Sequence, residues 1–245
     1  MRALEAAETL AVWERAGAAP PLFRPTVLLA AADPGTSSEE LAALPIGQRD
    51  ARLLRLYAAT FSDRLDGLAQ CPECATAVEL TASCATLLAE QARAASPAPV
   101  ETHGYTVTWR LPDSIDLAAV AAAGADTDGG AGVLLSRCVL DARNGTGPVP
   151  ASDLPEPVRD AVAAAMAAAD PLGEVVFTLD CPQCSCQWET QLEVDAFVWA
   201  KLRVRADRLL REVDTLARMY GWSEAEILDL SVERRAAYLK LVGDG

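Results

Sequence analysis

The chain has 245 residues, 51% hydrophobic and only 5% aromatic, with 35 acidic side chains against 21 basic ones, a formal charge of −14 and seven cysteines. A chain of this length can bury a sizeable core, while the negative balance argues against a protein that coats nucleic acid, because phosphate contacts need a positive surface. No apolar run approaches the roughly 20 residues that cross a bilayer, and Glu5, Glu8 and Glu14 interrupt any signal-like segment, so the expectation is a cytoplasmic protein with reduced thiols and no membrane partner.

Leu4, Ala7, Leu10, Ala11 and Trp13 recur with helical spacing over 3–16, and Pro20 and Pro21 end that helix. Residues 17–38 read as a connector containing one short apolar run at 27–32. A helix is predicted over 48–61, with Leu53, Leu54, Tyr57 and Phe61 on one face and Arg49, Asp50, Arg52 and Arg55 mostly off it. It leads into the first cysteine pair, after which 76–80 is β-compatible and 84–94 helical. Ser96, Pro97 and Pro99 break the chain before a strand at 105–111 that puts Tyr105, Val107 and Trp109 on one face. Helices follow at 116–123 and 132–141, separated by the flexible GADTDGGAG, and another at 152–169 with Pro155 and Pro157 near its start. A strand at 175–179 runs into the second cysteine cluster. The remainder is helical: a long helix at 194–220, a second opened by a Ser223/Glu226 capping box, and a third from about Ser231.

The most informative feature is a pair of similar segments, CPECATAVEL from Cys71 and CPQCSCQWET from Cys181. Each has Cys-Pro-x-Cys, three residues, an apolar residue and a glutamate. Two such knuckles, each at the tip of a β-hairpin, are what a tetrahedral ribbon-type zinc site requires. The proposed ligands are Cys71, Cys74, Cys181 and Cys184, with one structural zinc per chain, and the strand at 175–179 and residues 187–191 form the arms of the second hairpin. The stretch 75–180 is then a long insertion whose ends the metal would pin together. Competing readings are a redox dithiol, a degenerate site that binds no metal, and Cys186 in place of Cys184. A thioredoxin-type pair opens a helix, whereas each pair here precedes β-compatible residues. Cys84 and Cys138 fall on apolar helix faces and read as buried thiols.

Four thiolates leave no open coordination position, so the site would be structural and not catalytic. His103, the only histidine, reads as an exposed loop residue, no catalytic or phosphate-binding motif is present, and DTDGG at 126–130 lacks the ligands of a calcium loop. The expected protein is not an enzyme. Lys201, Arg203, Arg205, Arg208, Arg211 and Arg218 alternate with Asp207, Glu212 and Asp214, a salt-bridged helix face in preference to a nucleic-acid face. Part of this helical tail, tipped by Tyr220 and Trp222, is a candidate surface for a partner.

The expected fold is α+β, mainly helical, with a small zinc-ribbon-like β element formed by the two knuckles and a helical C-terminal tail. Its parts would be an N-terminal helix and connector (1–40), the core with its insertion (41–193) and the helical C-terminal region (194–245).

Leu44-Pro45, Gly47, Arg49-Asp50, Leu53-Leu54, Leu56, Thr60-Phe61, Asp63, Leu65, Cys71-Pro72, Cys74 and Glu79 together resemble the baseplate hub assembly chaperone family of T-even-type contractile phages, which has relatives in bacterial contractile injection system clusters. The segment Tyr220-Gly221-Trp222-Ser223-Glu224-Ala225-Glu226-Ile227, with Leu230-Ser231, Arg234-Arg235 and Tyr238-Leu239, is similar to the tail of those injection-cluster members. The likeness covers residues 40–80 best, the second knuckle and C-terminal 50 residues less, and the middle hardly at all. Ser62 and Ala75 stand where that family tends to have glycine. The resemblance implies a non-enzymatic assembly or structural factor for the baseplate or hub of a phage-tail-like particle, with baseplate or hub proteins as partners. The alternative is a nucleic-acid-binding zinc-ribbon regulator, against which the acidic balance counts, and a third reading is a rubredoxin-like iron carrier.

Overall fold

The computed structural model describes residues 1–124 and 127–243. Helix α1 (Ala6–Ala18) opens with a Glu5/Glu8 capping box and buries Leu10, Val12 and Ala16. The expected connector at 17–38 is instead largely helical. A 3-10 turn (Pro21–Phe23) leads into α2 (Arg24–Ala32), whose Leu28 and Leu29 are fully buried. Pro25 lies in the first turn of α2, where a missing N–H breaks no helical hydrogen bond. The short helix α3 (Ser38–Ala42) carries a Ser37/Glu40 capping box and precedes α4 (Ile46–Thr60).

Helix α4 buries Leu53, Leu54, Leu56 and Tyr57 as its periodicity requires, and each buried Leu is worth about 1.5–3 kcal/mol. Arg49 and Asp50, expected mostly off that face, are buried too, at 3% and 5% exposure. Arg49 Nε donates to Asp50 Oδ1 at 2.7 Å, but Asp195 also lies 3.9 Å from the guanidinium. Burial pushes the Asp50 carboxyl up to about 6 against the pull of Arg49.

Strands β1 (Arg64–Gln70) and β2 (Ala77–Ser83) form an antiparallel hairpin, followed by α5 (Cys84–Ala92). The chain then builds a separate lobe. Strands β3 (Val100–Thr102) and β4 (Tyr105–Trp109) turn at His103 and Gly104, both at positive φ. Helices α6 (Ser114–Ala123) and α7 (Thr127–Cys138) precede β5 (Val139–Asn144) and β6 (Gly147–Pro148), and α8 (Glu156–Ala169) closes the lobe after a 3-10 turn at Ala151–Asp153.

The sheet runs β3-β4-β5-β6, all antiparallel. Val107, Trp109 and Ala142 pack there on Leu154, Val158 and Val162. The helix expected at 132–141 starts earlier and ends earlier than its pattern suggests. Val139 leaves α7 to pair with Trp109, because the β4 edge offers its backbone a ladder partner. Of the GADTDGGAG linker, Ala125 and Asp126 lie outside the described residues and the glycines after Thr127 belong to α7. Fully buried Asp116 accepts from Arg110 at 2.6 and 2.9 Å and from Arg137 at 2.7 Å. Burial opposes its charge, but these donors and the Asp113 N–H outweigh it and hold the carboxyl down at about 2.

A 3-10 turn (Pro171–Gly173) returns the chain to the first lobe, where β7 (Val175–Asp180) and β8 (Gln187–Leu192) form a second antiparallel hairpin. The turn is clasped by Asp170: Gly47 N donates to its Oδ2 at 2.8 Å and Gln91 Nε2 to its Oδ1 at 2.7 Å, while Gln91 Oε1 accepts from Leu172 N at 2.9 Å. Gly47 has to be glycine here, since a Cβ would stand 2.0 Å from Asp170 Oδ1 and 2.9 Å from Gly173 N. Helices α9 (Val194–Tyr220), α10 (Glu224–Leu228) and α11 (Val232–Gly243) complete the chain. The main core draws on α1, α2, α4, α5, β7 and α9 around Leu28, Leu53, Leu54, Leu172, Val198 and Leu202. The architecture is α+β and mainly helical. No described helix is long and apolar enough to cross a membrane.

Candidate metal centre

The two knuckles are six-residue turns with matching hydrogen bonds. In the first, Gln70 pairs with Ala77, Cys71 N donates to Thr76 O at 2.9 Å, and Ala75 N to Cys71 O at 2.9 Å. In the second, Asp180 pairs with Gln187, Cys181 N donates to Cys186 O at 2.9 Å, and Ser185 N to Cys181 O at 3.0 Å. Both turns need a left-handed residue after the second cysteine. Ala75 and Ser185 supply it at φ 57° and 61°, a conformation that costs a residue with a Cβ about 1–2 kcal/mol. A glycine at either position would adopt this conformation without that cost.

The hairpins meet tip to tip and bring Cys71, Cys74, Cys181 and Cys184 together, all four sulfurs within 4.8 Å of one another. Two approaches cross between knuckles, Cys71 to Cys184 and Cys74 to Cys181, each 3.5 Å. In each knuckle the first cysteine is buried and the second exposed, so one side of the cluster faces solvent. None of the four is in a disulfide. A tetrahedral thiolate site with metal–sulfur bonds of about 2.3 Å has sulfurs roughly 3.8 Å apart, so both the spacing and the soft donor set fit a metal ion.

Local donors favour thiolates on the first knuckle. The Thr76 side chain, 3.2 Å from Cys74 Sγ, and the Thr76 backbone bring the Cys74 thiol down to about 6. Burial raises the Cys71 thiol, but the backbone N–H groups of Cys74 and Glu73 more than offset it and leave it lowered. At Cys184 the Cys186 N–H pulls downward, yet burial and sharing protons with Cys74, Cys71 and Cys181 raise it to about 12. Four sulfurs in one place cannot all ionise without a cation, and a metal binding here would release the remaining protons.

Cys186 takes the place in the second turn that Thr76 holds in the first, and its Sγ faces Gln187 O at 3.7 Å, outside the four-sulfur group. Cys84 and Cys138 are fully buried at 0% exposure. Burial, with Asp63 and Asp116 respectively, pushes each thiol up to about 11, so both stay protonated. His103 is exposed at its hairpin turn, with Nδ1 2.9 Å from Thr102 Oγ1.

Other side chains hold structure around this centre and in the C-terminal tail. Asp63 accepts from Ser83 Oγ at 2.6 Å and Ala85 N at 2.9 Å, tying the root of the first hairpin to α5. Tyr220 stacks on Trp222 at 4.7 Å and Tyr238 stands edge-on to Trp222 at 4.8 Å. Gly221 closes α9 at φ 71°, and Ser223 and Glu226 form the capping box. The Asp170 clasp, which ties the chain just before β7 to α4 and α5, and strand β1 carry no local signal in the sequence. Comparison with family models, curated proteins and solved structures returned no match for this chain.

Proposed function

We propose that the chain is a non-enzymatic assembly or structural factor for the baseplate or hub of a phage-tail-like contractile injection particle, with one structural zinc held by Cys71, Cys74, Cys181 and Cys184. The observation that carries this reading is the meeting of two distant knuckles in one four-sulfur cluster. Four thiolate ligands saturate a tetrahedral ion, so no position remains for water or substrate. Such a site adds folding energy by joining the ends of the intervening lobe. The resemblance through α4, the first knuckle and the Tyr220–Trp222–Tyr238 tail supplies the particle class. The acidic chain and the salt-bridged pairs Arg208–Glu212 and Arg218–Asp214 along α9 support a protein partner.

Co-expression with the baseplate, tube and sheath proteins of a contractile particle encoded beside it tests the reading. Affinity capture should retain a baseplate or hub component, and deletion should leave particles without assembled baseplates in negative-stain images. Intact particles after deletion, together with salt-dependent retardation of a labelled duplex, would replace it with the zinc-ribbon regulator. Elemental analysis checks the metal, and a visible iron–thiolate colour would displace zinc.

A further inference from the structure

One face of α9 carries Lys201, Val204, Arg205 and Arg208 at i, i+3, i+4 and i+7. Helix α11 turns Val232 and Arg235 toward them, and the half-buried Phe61 at the end of α4 lies in the floor. Between these elements runs an open trough of about 570 Å³.

Its walls combine exposed apolar surface with positive charge. Val204 is 68% and Val232 62% exposed, although each sits beside the apolar floor. Glu212 is the one carboxylate among the described lining residues, and it serves two cations, Arg208 at 2.8 Å and Arg235 at 2.6 Å. Arg205 spends its terminal nitrogens on the carbonyls of Thr60 and Leu4, both at 3.0 Å, and lies over the Phe61 ring at 5.6 Å. Lys201 stands over Phe197 at 5.0 Å and donates to the Asp66 carbonyl at 3.3 Å. The hydrogen bond from Arg64, with a smaller pull from nearby Lys201, holds the Asp66 carboxyl below its usual value. Burial, then the like charges of Arg235 and Arg208, draw the Arg205 guanidinium below its usual value. The trough therefore keeps a positive excess on a chain of formal charge −14.

We infer that this trough docks an acidic amphipathic helix of a partner protein, which lays apolar side chains on Val204, Val232 and Phe61 and turns carboxylates toward Lys201 and the exposed edge of Arg208. A space bounded by two helices suits a third, and attraction acts within a Debye length of about 8–10 Å, so the acidic remainder of the chain repels a short segment little. Nucleic acid suits the trough less, because the one ring among its described lining residues, Phe61, is half-buried and leaves no exposed ring for base stacking. The inference concerns a surface away from the cysteines and holds whether or not the partner belongs to a baseplate.

Fluorescence polarisation of the full chain with a labelled peptide of about 14 residues, some 21 Å as a helix, tests it. The probe carries Leu and Phe at i, i+3, i+4 and i+7 positions and Glu elsewhere. Saturable binding that weakens with salt is expected, at least about tenfold weaker for Val204→Asp and for Lys201→Glu/Arg208→Glu, about 1.4 kcal/mol in binding terms. Both variants alter exposed or half-exposed side chains and should keep the wild-type melting temperature. If the charge-reversal variant unfolds, Lys201→Gln/Arg208→Gln takes its place with the same expectation. Absence of saturable binding, equal binding of a peptide with Lys for every Glu, or equal affinity in the folded variants overturns the inference. So does a single-stranded oligonucleotide that binds more tightly and is lost in the same variants.

Discussion

The two hairpins are alike at their tips and unlike at their roots. At the tips, Cys71–Thr76 and Cys181–Cys186 repeat the same hydrogen bonds and the same left-handed fifth residue, and each offers one buried and one exposed sulfur. At the roots, the first hairpin is held by neighbours in sequence, Asp63 with Ser83 and Ala85. The second is held through the Asp170 clasp, whose partner Gly47 is 123 positions away. A knuckle is thus a local object that its own few residues specify, while the meeting of two knuckles is a tertiary event that the core must arrange.

Equivalence of the tips is broken or upheld most forcefully by Cys71→Ser and Cys181→Ser. Each should lower the melting temperature by about 10 °C or more, and by similar amounts, because either loss opens the same site. A large effect from only one would mean that the knuckles do not share an ion. The roots come next: Gly47→Ala should cost about 2–3 kcal/mol in chemical denaturation, since its Cβ collides with the Asp170 carboxylate. Asp63→Ala should cost about 1 kcal/mol, the worth of an exposed capping acceptor.

Smaller still, Ala75→Gly and Ser185→Gly should each stabilise by about 0.5–1 kcal/mol by relieving the left-handed turn. A destabilising result at either position would argue against the shared turn geometry. Cys186→Thr, which copies the first knuckle into the second, should leave metal content unchanged in elemental analysis. Loss of metal there would make Cys186 a ligand.

Local signals were readable where a residue acts on its own neighbours. The bounds of α9 follow from its apolar spacing and from Gly221, and the Ser223/Glu226 box marks the next helix. The paired C-P-x-C segments named four sulfurs that do converge. What escaped depends on distant partners. RLDGLAQ lacks β-branched residues and becomes β1 only by pairing with β2. Four prolines around α2, Pro20, Pro21, Pro25 and Pro34, look like a break, although Pro25 falls where a helix tolerates it. Arg49 and Asp50 read as surface charges but are buried as a pair, with Ser114 and Asp195 close to the guanidinium. The glycines of α7 suggest a linker, and nothing in the residues around Gly47 announces that it must be small to admit Asp170.

That the two knuckles close on a single ion is tested most directly by native mass spectrometry with elemental analysis on the wild type, Cys71→Ser and Cys181→Ser. One zinc per wild-type chain, and loss of that zinc in either variant, is the expected result. A metal-free wild type with all seven thiols titrating in the folded state, or a variant that keeps its full metal, would contradict it.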